Sequence, residues 1–251
     1  MLTPDNRHEY PTLLEANTLQ GKDDDVMLTF VGTTHAPEIV TRRVFMAGIA
    51  SYAQSLSDKG VEPADVVIIA HESILESIYA FWGALWLGAI PSMFPTLTEK
   101  LDPTVYQKQL SNLIKTSGAR AIITHADFAS TFTPFTDCPI MTDVSARNSA
   151  SIDQAVPVPD DVAFLQHSSG TTGLQKGVAL SHTAVLNQLA SYSEAIDLQA
   201  DDVIVSWLPL YHDMGLIAGF LLPLVQGIPL VLMSPFDWVT HPVLLLHILH
   251  E

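Results

Sequence analysis

Apolar and polar positions along the chain switch between two periods. Residues 41–59 carry Phe45, Ile49, Tyr52 and Leu56 on one helical face, and Gly60 follows as a C-terminal stop. Residues 66–70 (VVIIA) are a short β-branched run, the pattern of a buried strand. Residues 73–88 predict a long apolar helix, with Ser73 as N-cap and Glu76 three residues on, a capping-box spacing. Residues 89–94 predict a strand that Pro91 weakens. A helix over 106–116 ends at Ser117-Gly118, and a strand follows over 121–124. Later strands are expected at 162–167, 177–180, 203–207 and 230–233. Ser181 or His182 opens a helix running to about Ala195, and residues 216–225 predict another. Strand and helix alternate at the spacing of a parallel sheet covered on both faces, so the expected class is α/β, with mostly parallel sheets flanked by helices. Residues 142–161 are polar, contain Pro157 and Pro159, and read as a connection between two such regions.

Residues 214–233 are 20 residues without a charge, long enough to cross a bilayer. Pro223, Gly227 and Pro229 interrupt them, Asp213 and Asp237 flank them, and no Lys or Arg follows Lys176 to anchor a span. The expected structure there is helix, turn at residues 226–229, and buried strand, with no membrane span.

Composition narrows the class. The chain has 251 residues, 48% of them hydrophobic and 15% charged, which excludes disorder. Its 27 acidic and 11 basic residues give a net charge of −16, which argues against a general nucleic-acid partner. The N-terminus lacks the apolar core of a signal peptide. One cysteine, Cys138, allows no internal disulfide and no cysteine-based zinc site, so a reducing, cytoplasmic setting is expected and Cys138 reads as a packed or loop thiol.

The chemistry concentrates after the strand expected at 162–167. Residues 168–177 read SSGTTGLQKG. Glycines let the backbone turn and approach a ligand, successive free N–H groups form an anion-binding concavity, and Lys176 adds a positive charge in an acidic chain. Such a loop suits a polyphosphate. It is not the P-loop of the NTPases: counted from Gly170, Gln175 and Gly177 break the required Gly-Lys-Ser/Thr. It is not a serine-hydrolase elbow either, because Gln166 and His167 stand where glycine is needed before Ser168 and Ser169.

A second run, SWLPLYHDMGL over residues 206–216, delivers an aromatic and a histidine to a loop at a helix start. Asp213 is a candidate cap for that helix, and Gly215 leaves room for a ligand. Taken alone, His212 could equally be a packed loop residue.

The first run resembles the signature loop of the adenylate-forming (AMP-binding) enzymes: acyl-CoA synthetases, fatty acyl-AMP ligases, luciferases and peptide-synthetase adenylation domains. Ser168, Ser169, Gly170, Thr171, Thr172, Gly173, Lys176 and Gly177 match it, and Gln175 replaces its usual proline. The second run is similar to that family's second core motif, nearest to the fatty acyl-AMP ligase and long-chain acyl-CoA synthetase branch. Residues 60–65 (GVEPAD) resemble a further family stretch, with Ala64 where glycine is common.

The resemblance implies ATP and Mg²⁺ as cofactors and a carboxylic acid, preferably fatty acyl, as substrate. Coenzyme A or the phosphopantetheine of an acyl carrier protein would be the thiol acceptor. It implies that Ser168, Ser169, Gly170, Thr171, Thr172, Gly173 and Lys176 hold the nucleotide, that His212, Asp213, Met214 and Gly215 line the substrate pocket, and that Lys176 and His212 are the catalytic candidates. No GYGxTE-like motif occurs, so no Mg²⁺ ligand is assigned. Residues 1–251 are therefore expected to be the first part of the large N-terminal domain of such an enzyme, without its small C-terminal domain. The expected activity belongs to the parent: formation of an acyl-adenylate, then thioester formation. A non-catalytic acyl- or nucleotide-binding module derived from the enzyme is the alternative, and a membrane-associated structural protein is a third.

Overall fold

A computed structural model of the chain describes residues 2–3, 9–19, 21–33, 36–96, 102–132, 137–142, 144, 152–167 and 177–250. The chain divides into two compact units. One comprises Met1–Met46, Val158–Asp160 and Ser181–Glu251; the other comprises Ala47–Pro157 and Asp161–Leu180.

The first unit contains β1 (Val26–Val31), β2 (Glu38–Thr41), β9 (Ile204–Ser206) and β10 (Leu230–Met233), in the sheet order β2-β1-β10-β9. β10 lies parallel to both β1 and β9, whereas β2 is antiparallel to β1. Around it stand α1 (Leu13–Leu19), α6 (His182–Ala195), α7 (Leu222–Gln226), α8 (Pro235–Thr240) and α9 (Val243–Ile248). Ser181 caps α6 by accepting from the Ala184 N–H at 3.2 Å. The Leu13 N–H, at the orphan start of α1, donates to His182 Nδ1 at 3.2 Å.

The long apolar run after Asp213 departs from the expected α-helix. Residues Met214–Leu221 form a π-helix, and a regular α-helix resumes only as α7. Two features account for the wider turn. A Cβ on Gly219 would lie 2.5 Å from Ser206 Oγ, so this backbone presses against β9. Pro223 has no N–H to give back and would clash with a carbonyl one α-turn earlier. The Leu222 N–H instead reaches five residues back, to Ile217 O, and Pro223 falls in the first turn of α7, where no donor is needed. Gly227 then ends α7 in the left-handed conformation (φ 70°), and the chain enters β10. Among the described residues no helix is long and apolar enough to cross a membrane.

The second unit is a six-stranded sheet in the order β6-β5-β3-β4-β7-β8. Its strands are β3 (Val66–Ala70), β4 (Ile90–Met93), β5 (Ala121–Thr124), β6 (Ile140–Met141), β7 (Val162–His167) and β8 (Gly177–Ser181). The registered pairs β3–β4, β3–β5, β4–β7 and β5–β6 are all parallel. Val67, Ile68, Ile69 and Ala70 are all buried, as a strand covered on both faces requires. Pro91 sits inside this sheet despite its missing donor. Ile90 donates to Asp65 O, just before β3, and Phe94 donates to Ile69 O of β3, so the Pro91 nitrogen faces the other side, where the registered pairing with β7 is Ser92 with Leu165.

Helices α2 (Arg42–Asp58), from Ala47 onward, and α3 (Ile74–Leu87) approach closely through two glycines. A Cβ on Gly48 would lie 2.5 Å from the Tyr79 ring, and one on Gly83 would lie 2.6 Å from Tyr52 Cβ. Helix α4 (Pro103–Ser117) begins earlier than the periodicity predicts, because Asp102 accepts from the Thr104 and Val105 N–H groups and Pro103 opens the first turn. Tyr106, Leu110 and Ile114 of α4 pack with Ile68, Ile122, Phe94 and Phe128 as one core. Short α5 (Ala129–Phe132) adds Phe132 to it.

Candidate functional site

Residues Ser168, Ser169, Gly170, Thr171, Thr172, Gly173 and Lys176 lie outside the described residues. The structure does describe both stems of their loop. β7 ends at His167, β8 begins at Gly177, and the two are neighbours in the sheet. β7 runs parallel to β4, so the loop leaves the carboxyl end of a parallel strand, where open α/β sheets bind ligands.

The stem is built around a buried histidine. His167 is 9% exposed, and its Nε2 lies 2.6 Å from Ser92 Oγ on β4. The ring meets Phe94 edge-on, with centroids 5.9 Å apart. Its Nδ1 is buried and has no hydrogen-bond partner among the described residues. Burial holds its pKa below the ordinary histidine value, so the ring is kept neutral.

In the other unit, the second motif starts where β9 ends. Ser206 is buried, and its Oγ accepts from the Leu208 N–H at 3.3 Å. Trp207 stacks on Trp238 of α8, with ring centroids 3.7 Å apart and planes 10° from parallel. Thr33, just past β1, donates to Asp237 Oδ1 at 2.9 Å. The carboxyl ends of β1, β9 and β10 are thereby tied together around α8. Tyr211 is half-buried, and burial raises its pKa; its ring lies 4.8 Å from that of His212.

His212, Asp213 and Met214 are exposed side by side on one turn. The His212 N–H donates to Pro209 O at 3.1 Å, and its own carbonyl accepts from the Leu216 N–H at 2.8 Å. Asp213 Oδ1 accepts from the Met214 N–H at 2.7 Å, so the carboxylate sits at the positive end of the π-helix. Gly215 is buried beneath them. A Cβ there would collide with the Pro209 carbonyl, so packing within its own loop already requires glycine. Among the described residues no group of three or more His, Cys, Asp or Glu side chains is placed to hold a metal ion, so none is assigned to Mg²⁺.

The family model described as AMP-binding enzyme matches residues 15–251. This chain belongs to the AMP-binding enzyme family. It is 32% identical over 250 residues to a long-chain-fatty-acid–AMP ligase of Mycobacterium marinum, an alignment covering 92% of this chain and 42% of that protein. It is 30% identical over 226 residues to a 4-coumarate–CoA ligase of Arabidopsis thaliana, covering 82% of this chain and 37% of that one. Its fold matches the crystal structure of a fatty acyl-adenylate ligase from L. pneumophila in complex with acyl adenylate and pyrophosphate. The TM-score is 0.82 and the identity 27%, over 97% of this chain and 43% of the other. The chain thus spans about two fifths of the length of these AMP-binding relatives (42% and 43%).

Two features escaped the motif reading. The His167–Ser92 pair joins residues 75 positions apart, and its signal was a histidine at the last strand position before the loop. Trp238 carried no signal at all, because its stack on Trp207 depends on tertiary structure.

Proposed function

We propose that this chain is part of an ATP-dependent acid ligase that activates a fatty or related carboxylic acid as its adenylate. The observation that carries the reading is the Gly/Ser/Thr loop with Lys176, set between β7 and β8 at the end of a parallel strand in a chain of the AMP-binding family. The relatives named for fatty acids support the substrate class.

In this reaction a carboxylate oxygen bonds to the α-phosphorus of ATP while the bond to pyrophosphate breaks. Negative charge grows on the phosphoryl oxygens. Backbone donors from Ser168 to Gly173, the hydroxyls of Ser168, Ser169, Thr171 and Thr172, and the Lys176 ammonium would hold that charge without reorganising. Mg²⁺, when bound, would add further charge neutralisation. His212, Asp213 and Met214 would border the acyl and adenylate groups, with Gly215 letting their turn close on Pro209. A thiol of coenzyme A or of a carrier protein's phosphopantetheine would then take the acyl group and release AMP.

Calorimetric ATP binding and acid-dependent ATP–pyrophosphate exchange test this reading. The 251-residue chain should bind ATP weakly and show no substantial turnover, since it spans 42% of its ligase relative. Lys176→Ala should weaken ATP binding roughly tenfold, the low end for a lost charge-assisted hydrogen bond. In the polypeptide that also carries the rest of the relatives' length, exchange should be strongest with fatty acids. ATP affinity indifferent to Lys176→Ala would overturn the loop assignment. Binding without exchange in that longer polypeptide would favour a non-catalytic module.

A further inference from the structure

The turn that carries His212, Asp213 and Met214 is closed by the chain leaving β9, which meets the π-helix at two glycines. A Cβ on Gly215 would strike the Pro209 carbonyl. One on Gly219 would lie 2.5 Å from Ser206 Oγ and 3.2 Å from Ser206 Cβ. Ser206 is itself fixed, being 5% exposed, with its Oγ accepting from the Leu208 N–H at 3.3 Å. The depth of the helix is therefore set at Gly219 by a group that cannot step aside.

The far end of the helix is fixed as well. Leu222, Pro223, Leu224, Val225 and Gln226 are all buried, and Gln226 is bonded to Leu2 and Ser193. Between the two ends, the Leu222 N–H reaches Ile217 O, five residues back. Such a turn holds one residue more than an α-turn, so it displaces each earlier position by about 100° around the axis. With α7 fixed, that displacement decides which residues face outward. His212, Asp213 and Met214 are exposed, whereas Gly215, Leu216, Gly219 and Phe220 are buried. Without the extra residue Gly219 would turn away from Ser206, and the exposed turn would swing with it. π-turns are rare and frequently lie at functional sites.

We propose that Ser206 is a positioning residue for the acid substrate: by meeting Gly219 it holds the π-turn in place and so aims His212, Asp213 and Met214 at the acyl and adenylate groups. Ser206 acts through the helix and touches no substrate. The inference rests on the reading of that turn as the border of the substrate pocket.

A double-mutant cycle tests it. Gly219→Ala puts a methyl group against Ser206 Oγ. Ser206→Ala removes that atom and leaves only the 3.2 Å contact, which a shift of a few tenths of an ångström relieves. Ala218→Gly is the control, since it loosens the same helix without adding an atom at Ser206. These variants are made in the polypeptide that also carries the rest of the relatives' length. Acid-dependent ATP–pyrophosphate exchange is followed with acid and ATP each varied. Gly219→Ala should raise the acid KM by about tenfold more than the ATP KM. In the Ser206→Ala background the same substitution should cost less than about threefold. Ser206→Ala alone, which only slackens the contact, should raise the acid KM by about threefold relative to that of ATP, and it carries the test should Gly219→Ala not fold. Ala218→Gly should lower the melting temperature yet leave the ratio of the two KM values within about twofold. On the 251-residue chain, the amide NMR signals of His212, Asp213 and Met214 should shift in Gly219→Ala and move back in the double variant.

Equal costs of Gly219→Ala in the two backgrounds would overturn the proposal, as would acid and ATP KM values that rise together as the melting temperature falls. Unmoved signals at residues 212–214 would do the same. If the unsubstituted polypeptide exchanges with fatty acids and the cycle shows no coupling, the Ser206 role fails and the ligase reading stands. If it shows no acid-dependent exchange, the ligase reading fails and the inference falls with it.

Discussion

Single residues in this chain carry meanings that depend on what surrounds them. The glycine at 215 suggests space for a ligand, yet the Pro209 carbonyl fills the place of its missing side chain. The histidine at 167 reads in sequence as the residue that breaks a hydrolase elbow, and in the fold it becomes a buried base bonded to Ser92. Its environment makes a pH prediction. Burial lowers its pKa from 6.5, whereas in the unfolded chain it titrates near 6.5. Between the two values the unfolded state binds more protons, so stability rises with pH there. The contribution of His167 is complete above 6.5, and it falls as acid takes the pH down toward the lowered folded value. Urea midpoints measured across that window should drop more steeply for the unsubstituted chain than for His167→Asn, which cannot titrate. Parallel profiles would show that the acid sensitivity belongs to other groups.

Elements were legible where a local rule decides them. β3, β5, β7 and β10 coincide with continuous apolar or β-branched runs, because a strand buried on both faces needs no alternation. α6 and α3 follow from a cap and a 3.6-residue period. Other elements were not legible. The π-helix over Met214–Leu221 depends, besides Pro223, on the close approach of Gly219 to Ser206, which no periodicity carries. β1 pairs with β2 nearby and with β10, about 200 positions away by the register Leu28 with Leu230, and the second pairing carries no local signal. The start of α3 shows a local rule half kept. Ser73 Oγ accepts from the Glu76 N–H at 3.2 Å, as a capping box requires. The Glu76 carboxylate does not return to Ser73 but accepts from Tyr52 Oη at 2.7 Å, while the Ser73 N–H donates to His71 Nδ1 at 3.0 Å. Ser73→Ala should therefore cost about 1 kcal/mol, as a lost cap does. Glu76→Gln, which keeps an acceptor for Tyr52, should cost less. Equal urea midpoints for Ser73→Ala and the unsubstituted chain would mean that the His71 contact carries the helix start.

At the scale of the molecule, what the sequence hides is which distant segments meet. The first unit is assembled from three stretches of chain, so reading along the sequence finds its pieces but not their pairing. One buried side chain joins two of those stretches. Gln226, at the end of α7, accepts from the Leu2 N–H at 2.7 Å and donates to Leu2 O at 2.8 Å, across 224 positions. The same amide nitrogen reaches Ser193 Oγ of α6 at 2.5 Å, and Ser193 in turn donates to Leu189 O at 3.0 Å. Leu2 is fully buried, so its backbone groups have no water to fall back on. Gln226 thus satisfies both polar groups of Leu2 as a neighbouring strand would. Its removal leaves a buried donor and a buried acceptor unpaired, each costing about 1–3 kcal/mol. Gln226→Ala should lower the urea midpoint by the equivalent of about 2 kcal/mol or more, and should expose the segment around Leu2 to proteolysis. Gln226→Glu keeps an acceptor for the Leu2 N–H but cannot donate to Leu2 O, and it buries a charge, so it should be no better than alanine. An unchanged midpoint for Gln226→Ala would mean that burial of the Leu2 side chain, and not this amide, holds the segment in place.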